Sequence, residues 1–121
     1  MKVLVVEDHD DARDMLVTLL GLHGLEVRGV ATGSQALDAI RDWTPDAAVV
    51  DFVLPDMDGR ELARRVREEP GRRDMFLVAL TGHSGEQVAA EAGGAGFDQF
   101  FVKPVDPDTI IEVLKQRNPG G

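Results

Sequence analysis

The feature that most constrains this chain is a recurring pattern. Short, nearly continuous apolar runs alternate with stretches of helical spacing, and each run stops on a polar residue. Lys2-Val3-Leu4-Val5-Val6 stops at Glu7-Asp8, Ala47-Ala48-Val49-Val50 at Asp51, residues 75–80 at Thr81-Gly82, and residues 97–102 at Lys103-Pro104. The first three read as buried strands, the Ala47–Val50 run as one buried on both faces, and 97–102 as a further strand, which points to a mostly parallel sheet covered by helices. Residues 25–31 alternate loosely and carry Glu26, Arg28 and Gly29, so they read as an edge strand.

The intervening stretches read as five helices. Asp10 is placed as the N-cap of the first, with Ala12, Met15, Leu16, Leu19 and His23 inward and Gly24 closing it. Thr32-Gly33-Ser34 caps a second, striped by Ala36, Leu37, Ile40 and Trp43 and ended by Pro45. A third runs from Gly59 to about Glu69; it buries Leu62, Ala63 and Val66 and turns Arg60, Arg64, Arg65 and Arg67 to solvent. Ser84-x-x-Gln87 matches a capping box and opens a weakly apolar fourth helix over 84–92. Asp106-Pro107 starts a fifth, with Ile110, Ile111, Val113 and Leu114 inward, and 118–121 reads as a frayed tail. Five strands alternating with five helices predict an α/β three-layer sandwich with right-handed crossovers. The flavodoxin-like doubly wound order 2-1-3-4-5 puts the 25–31 strand at an edge and sets strands 1 and 3 side by side.

At 121 residues the chain has the size of one domain, 1–121. It carries 22 acidic against 13 basic residues, a net charge of −9, which disfavours a nucleic-acid backbone as partner. No apolar run reaches the length of a bilayer span and no secretory leader pattern is present, so no membrane partner is expected and the chain reads as cytoplasmic. With no cysteine, any metal must be held by oxygen or imidazole.

In a doubly wound sheet, ligands bind outside the carboxyl ends of the strands, where the strand order reverses. Glu7-Asp8, Asp51, Thr81 and Lys103 all fall there. Any one of them alone is most simply a loop residue, and capping accounts for Asp10 and Asp11. Together they make a phosphoryl-transfer site. Three carboxylates within a few Å repel by roughly 4 kcal/mol per close pair at an effective dielectric near 20, so a divalent cation is expected to offset them. Few carboxylates plus waters and phosphate oxygens suit magnesium, Mg²⁺, better than Ca²⁺. A carboxylate can attack phosphorus to form an aspartyl phosphate, and Asp51 is the most central candidate. Glu7 and Asp8 can hold the metal, Lys103 can supply a cation and Thr81 a hydrogen-bond donor. Lysine is scarce, at Lys2, Lys103 and Lys115 only, which favours a role for Lys103.

The set Glu7-Asp8, Asp51 with Leu54-Pro55-Asp56-Met57-Asp58-Gly59, Thr81-Gly82 and Lys103-Pro104 resembles the receiver domain of two-component response regulators, of the chemotaxis-regulator type, over essentially the whole chain. The resemblance implies that Asp51 is the phosphoacceptor, Glu7 and Asp8 the acidic pair, Thr81 the switch hydroxyl and Lys103 the lysine that contacts the acyl phosphate. It implies a Mg²⁺ site of Glu7, Asp8, Asp51 and the backbone carbonyl of Val53, and a cis peptide before Pro104. Phe100 falls where the family keeps its switch aromatic, although core packing explains a phenylalanine there equally well. Gly82 stands where alanine is common. Val53 and His83 occupy positions near the phosphate that modulate hydrolysis, and a surface-loop histidine accounts for His83 as well.

The resemblance further implies a phosphodonor, either a sensor histidine kinase or a histidine phosphotransfer protein. A downstream protein target would read the face made by the fourth helix, fifth strand and fifth helix after the Thr81 loop and Phe100 shift. The chain then reads as a stand-alone regulator, with Met1 a natural start. It would not be an enzyme beyond autocatalytic phosphoryl acceptance and autodephosphorylation. Alternatives are a Mg²⁺-dependent aspartate-nucleophile phosphatase or a phosphorylation-independent interaction module. In the first, haloacid-dehalogenase-like enzymes usually carry a second aspartate where Val53 stands; the second leaves the acidic and lysine set unexplained. A flavodoxin is disfavoured because the carboxylates of the first loop would repel the phosphate of FMN.

Overall fold

A computed structural model describes residues 1–72, 74–82, 94 and 96–117. Its strands are β1 (Lys2–Val6), β2 (Glu26–Val30), β3 (Ala47–Asp51), β4 (Phe76–Thr81) and β5 (Gln99–Val102). All pair in parallel, in the order β2-β1-β3-β4-β5. Among the described residues four helices cover the sheet: α1 (Asp10–Leu22), α2 (Gly33–Trp43), α3 (Gly59–Glu68) and α4 (Pro107–Arg117). The doubly wound flavodoxin-like sandwich read from the sequence is the fold observed. The helix expected over 84–92, its capping box, His83 and the tail at 118–121 lie outside the described residues.

The continuous apolar runs arise because alternate residues of one strand serve two different layers. Leu4, Val6, Ala48, Val50, Leu77 and Ala79 meet α2 and α3 through Ala36, Leu37, Ile40, Leu62, Ala63 and Val66. Their neighbours Val3, Val5, Ala47, Val49, Val78 and Leu80 meet α1 and α4 through Leu16, Leu20, Ile110, Ile111 and Leu114. With period 2, a strand covered on both faces has no polar side to show. The edge strand β2 is largely exposed, in keeping with its alternating pattern, and β5 is largely exposed too because it lies at the other edge of the sheet, although its apolar run does not alternate. No described helix is long and apolar enough to cross a membrane.

Several local expectations need correction. The N-cap of α1 is His9, without a side-chain cap, and Asp10 is the first helical residue. The inward face of α1 is Leu16 and Leu20, whereas Met15 is 56% exposed and His23 is exposed. The helix does close at Gly24, which has φ 84°: Gly24 N–H donates to Gly21 O at 3.0 Å and Leu25 N–H to Leu20 O at 3.3 Å, the two bonds of a Schellman motif. Arg67 is not a solvated residue of the α3 face. Its guanidinium donates to Met75 O (2.6 Å), Gly96 O (2.7 Å) and Asp98 Oδ2 (3.0 Å), tying α3 to the starts of β4 and β5. The fifth strand begins at Gln99, two residues later than the apolar run, because the Asp98 carboxylate accepts from Leu77 N–H at 2.9 Å where a strand carbonyl would otherwise act.

Other local features match. Thr32 Oγ1 accepts from Gln35 N–H at 3.0 Å at the start of α2, and Asp106 Oδ1 accepts from Asp108 N–H at 2.9 Å at the start of α4. The Lys103-Pro104 peptide is cis.

Candidate functional site

Strand register brings the polar exits together. Val6 pairs with Val50 and Asp51 with Leu80, so Glu7 leaves β1 directly opposite Asp51, and Thr81 lies one residue beyond Asp51 on the other side. Thr81 pairs with Val102, which puts Lys103 next in line. The hydrogen-bond ladder continues one residue past three strands: Glu7 N–H donates to Val30 O (3.0 Å), Phe52 N–H to Leu80 O (2.8 Å) and Lys103 N–H to Thr81 O (2.7 Å). Glu7, Asp51, Thr81 and Lys103 are therefore anchored by sheet backbone, while Asp8 lies one residue beyond the ladder.

Glu7, Asp51 and Thr81 are the buried polar residues of the described chain, at 7%, 8% and 2% exposure, while Asp8 is exposed. One carboxylate oxygen from each of Glu7, Asp8 and Asp51 lies within 4.8 Å of the others. The Lys103 ammonium stands 3.1 Å from Asp51 Oδ2 and 3.5 Å from Glu7 Oε1. Burial pulls the Lys103 pKa down, but the hydrogen bond and charge of Asp51, followed by those of Glu7, outweigh it and leave the pKa raised. Burial, then the hydrogen bond and charge of Asp51, push the Glu7 pKa above its ordinary value. Two partly buried carboxylates with one ammonium between them leave an excess of negative charge.

Val53, whose carbonyl was expected at the metal, is exposed; its N–H donates to Asp51 Oδ1 at 3.4 Å, and it pairs with Asp58 in an isolated antiparallel bridge. Phe100 is 39% exposed and, among the described residues, packs in neither core layer; strand alternation sends Phe101 against the α1 and α4 layer instead.

Sequence reasoning missed Asp56. Its two carboxylate oxygens accept from Gly33 N–H and Ser34 N–H, each at 2.9 Å, across the gap to α2. Burial raises its pKa, but those two donors outweigh burial and leave it lowered. The available signal was indirect: Thr32 satisfies only one amide of the first turn, leaving others in need of an acceptor. Arg13 was missed as well; its guanidinium donates to Glu7 O at 3.0 Å and bridges Asp10 at 2.6 Å.

A parallel sheet in this order, with an acidic cluster and a lysine at its carboxyl edge, has the architecture of a phosphoacceptor signalling module. Residues 3–115 match the response regulator receiver domain family. The chain belongs to that family and is a receiver domain of two-component signalling. It is 36% identical over 116 residues to the "uncharacterized 14.6 kDa protein in sodA1 3′region" of Leptolyngbya boryana, covering 96% of this chain and 88% of that protein. It is 30% identical to the DNA-binding response regulator MtrA of Mycolicibacterium smegmatis, covering 96% of this chain but only 50% of MtrA. Chemotaxis response regulator CheY4 of Vibrio cholerae superposes with a TM-score of 0.89 at 29% identity, covering 95% of this chain and 96% of CheY4.

Proposed function

We propose that this receiver domain accepts a phosphoryl group on Asp51 from a phosphohistidine, carried by a sensor histidine kinase or a histidine phosphotransfer protein in the cytoplasm. The observation that carries this reading is the setting of Asp51, a buried carboxylate with a lysine 3.1 Å away and two further carboxylates with oxygens within 4.8 Å. A carboxylate oxygen of Asp51 attacks phosphorus and a P–O bond forms. The P–N bond breaks, and the donor ring, protonated on its other nitrogen, leaves as neutral imidazole.

The donor set suits Mg²⁺: hard oxygens only, with burial and then the neighbouring Asp51 carboxylate raising the Glu7 pKa. Glu7, Asp8, Asp51 and the Val53 carbonyl would hold it, and when bound it would neutralise their repulsion and the charge of the incoming phosphoryl oxygens. Lys103, held charged at neutral pH by its carboxylate neighbours, can pair with a phosphoryl oxygen once Asp51 carries the acyl phosphate. Thr81, at the exit of the adjacent strand, can donate its hydroxyl to another. Phosphorylation replaces the single negative charge of the Asp51 carboxylate with up to about two on the phosphoryl oxygens, set further out from the strand end, which draws Lys103 and Thr81 inward and biases a pre-existing equilibrium. Phe100, exposed on β5, belongs to the surface a downstream protein would read. Autocatalytic loss of the phosphate returns the domain to rest, without multiple turnover.

The test is mass spectrometry after acetyl phosphate, with and without Mg²⁺. One added phosphate is expected in the wild type with Mg²⁺ and none in Asp51→Asn; uptake by Asp51→Asn would sink the assignment.

A further inference from the structure

We propose that Asp56 and Met57 are positioning residues for the metal site, locking the 52–58 loop, and with it Val53, onto the N-terminus of α2. The inference rests on the reading of the acidic cluster as a Mg²⁺ site. Asp56 takes the first two amides of α2, Gly33 and Ser34, on separate oxygens at 2.9 Å each. Those amides have no partner inside the helix, and negative charge is stabilised at that end of the helix dipole. The Thr32 hydroxyl takes the following amide, Gln35, so the two caps do not compete.

Met57 supplies an independent contact. A Cβ built on Gly33 would come within 2.6 Å of both Cγ and Sδ of Met57, so any side chain at position 33 must displace Met57 from its seat on α2. The base of the loop is closed as well: Gly59 N–H donates to Phe52 O at 2.6 Å, and Val53 bridges Asp58. A loop closed at its base and anchored at its tip moves as one piece. The anchor on α2 therefore sets where Val53 stands relative to Asp51, two residues before it. Releasing the anchor leaves every proposed ligand in the chain but obliges the metal to order the loop on binding.

Isothermal titration of the unphosphorylated protein with Mg²⁺ tests this. Asp56→Ala and Gly33→Ala are each expected to bind Mg²⁺ about tenfold more weakly, the lower end of what losing a group that orients a metal site costs. Their phosphate uptake from acetyl phosphate should fall at low Mg²⁺ and recover at saturating Mg²⁺. Gly33→Ala combined with Met57→Ala should bind no worse than Met57→Ala alone, since the clash is gone. Thr32→Ala, which removes a cap from α2 without touching the loop, should lower thermal stability and leave Mg²⁺ affinity unchanged. Equal affinity in wild type, Asp56→Ala and Gly33→Ala would overturn the proposal, as would an equal loss in Thr32→Ala. A wild type that binds no Mg²⁺ would overturn the metal-site reading itself, and this proposal with it.

Discussion

Among the described residues, Glu7 and Arg67 show how one side chain can work against or for the fold. Burial, then the hydrogen bond and charge of Asp51, hold the Glu7 pKa above its ordinary 4.5, and Lys103 offsets only part of this. The folded chain thus keeps that proton to higher pH than the unfolded chain. The stability it contributes is fully present below about 4.5 and is lost as pH rises through the folded-state value. In EDTA, Glu7→Gln is expected to raise the melting temperature at neutral pH and to leave it unchanged in acid; a lower value at neutral pH would refute this. Saturating Mg²⁺ should reverse the order. Arg67 behaves oppositely, since its guanidinium satisfies carbonyls from two strand starts. Arg67→Ala should cost about 2–3 kcal/mol by urea denaturation, the scale of hydrogen bonds from a charged donor. Arg67→Lys should recover little, because an ammonium cannot reproduce the planar fork.

At the scale of the element, α1 separates what periodicity reveals from what it leaves open. The spacing of Ala12, Met15, Leu16 and Leu19 marks an amphipathic helix, but Leu16 and Leu20 support a second stripe rotated from the first. Which stripe meets β1 and β2 depends on how the helix lies on the sheet. The structure buries Leu20 completely and leaves Met15 56% exposed. Leu20→Ala should therefore cost about 3 kcal/mol, within the range for a cavity in a packed core, while Met15→Ala should stay within about 0.5 kcal/mol. Equal losses, measured by chemical denaturation, would place Met15 in the core. The shift of the cap from Asp10 to His9 has a similar origin: the ladder runs one residue past β1, and what remains of the turn decides where the helix starts.

For the whole molecule, a site assembled from four strand exits is a property of the folded state alone, so a metal held there should stabilise the entire fold. At free Mg²⁺ about 100 times its Kd the gain should be about 2.7 kcal/mol, seen as a rise in melting temperature that EDTA abolishes and Asp8→Asn removes. An unchanged wild-type melting temperature would count against the metal site. The sequence by itself determined the sheet, its buried strands and the polar residues at their ends, because burial on two faces writes a continuous apolar run whose end is visible locally. It named Glu7, Asp8, Asp51, Thr81 and Lys103 as one group on that basis. Only the tertiary structure decided that Lys103 stands 3.1 Å from Asp51, that Phe101 and not Phe100 enters the core, and that Asp56 caps a helix 23 residues earlier in the chain. Those meetings follow from register and helix rotation, which packing on both faces of the sheet sets jointly and no local pattern encodes.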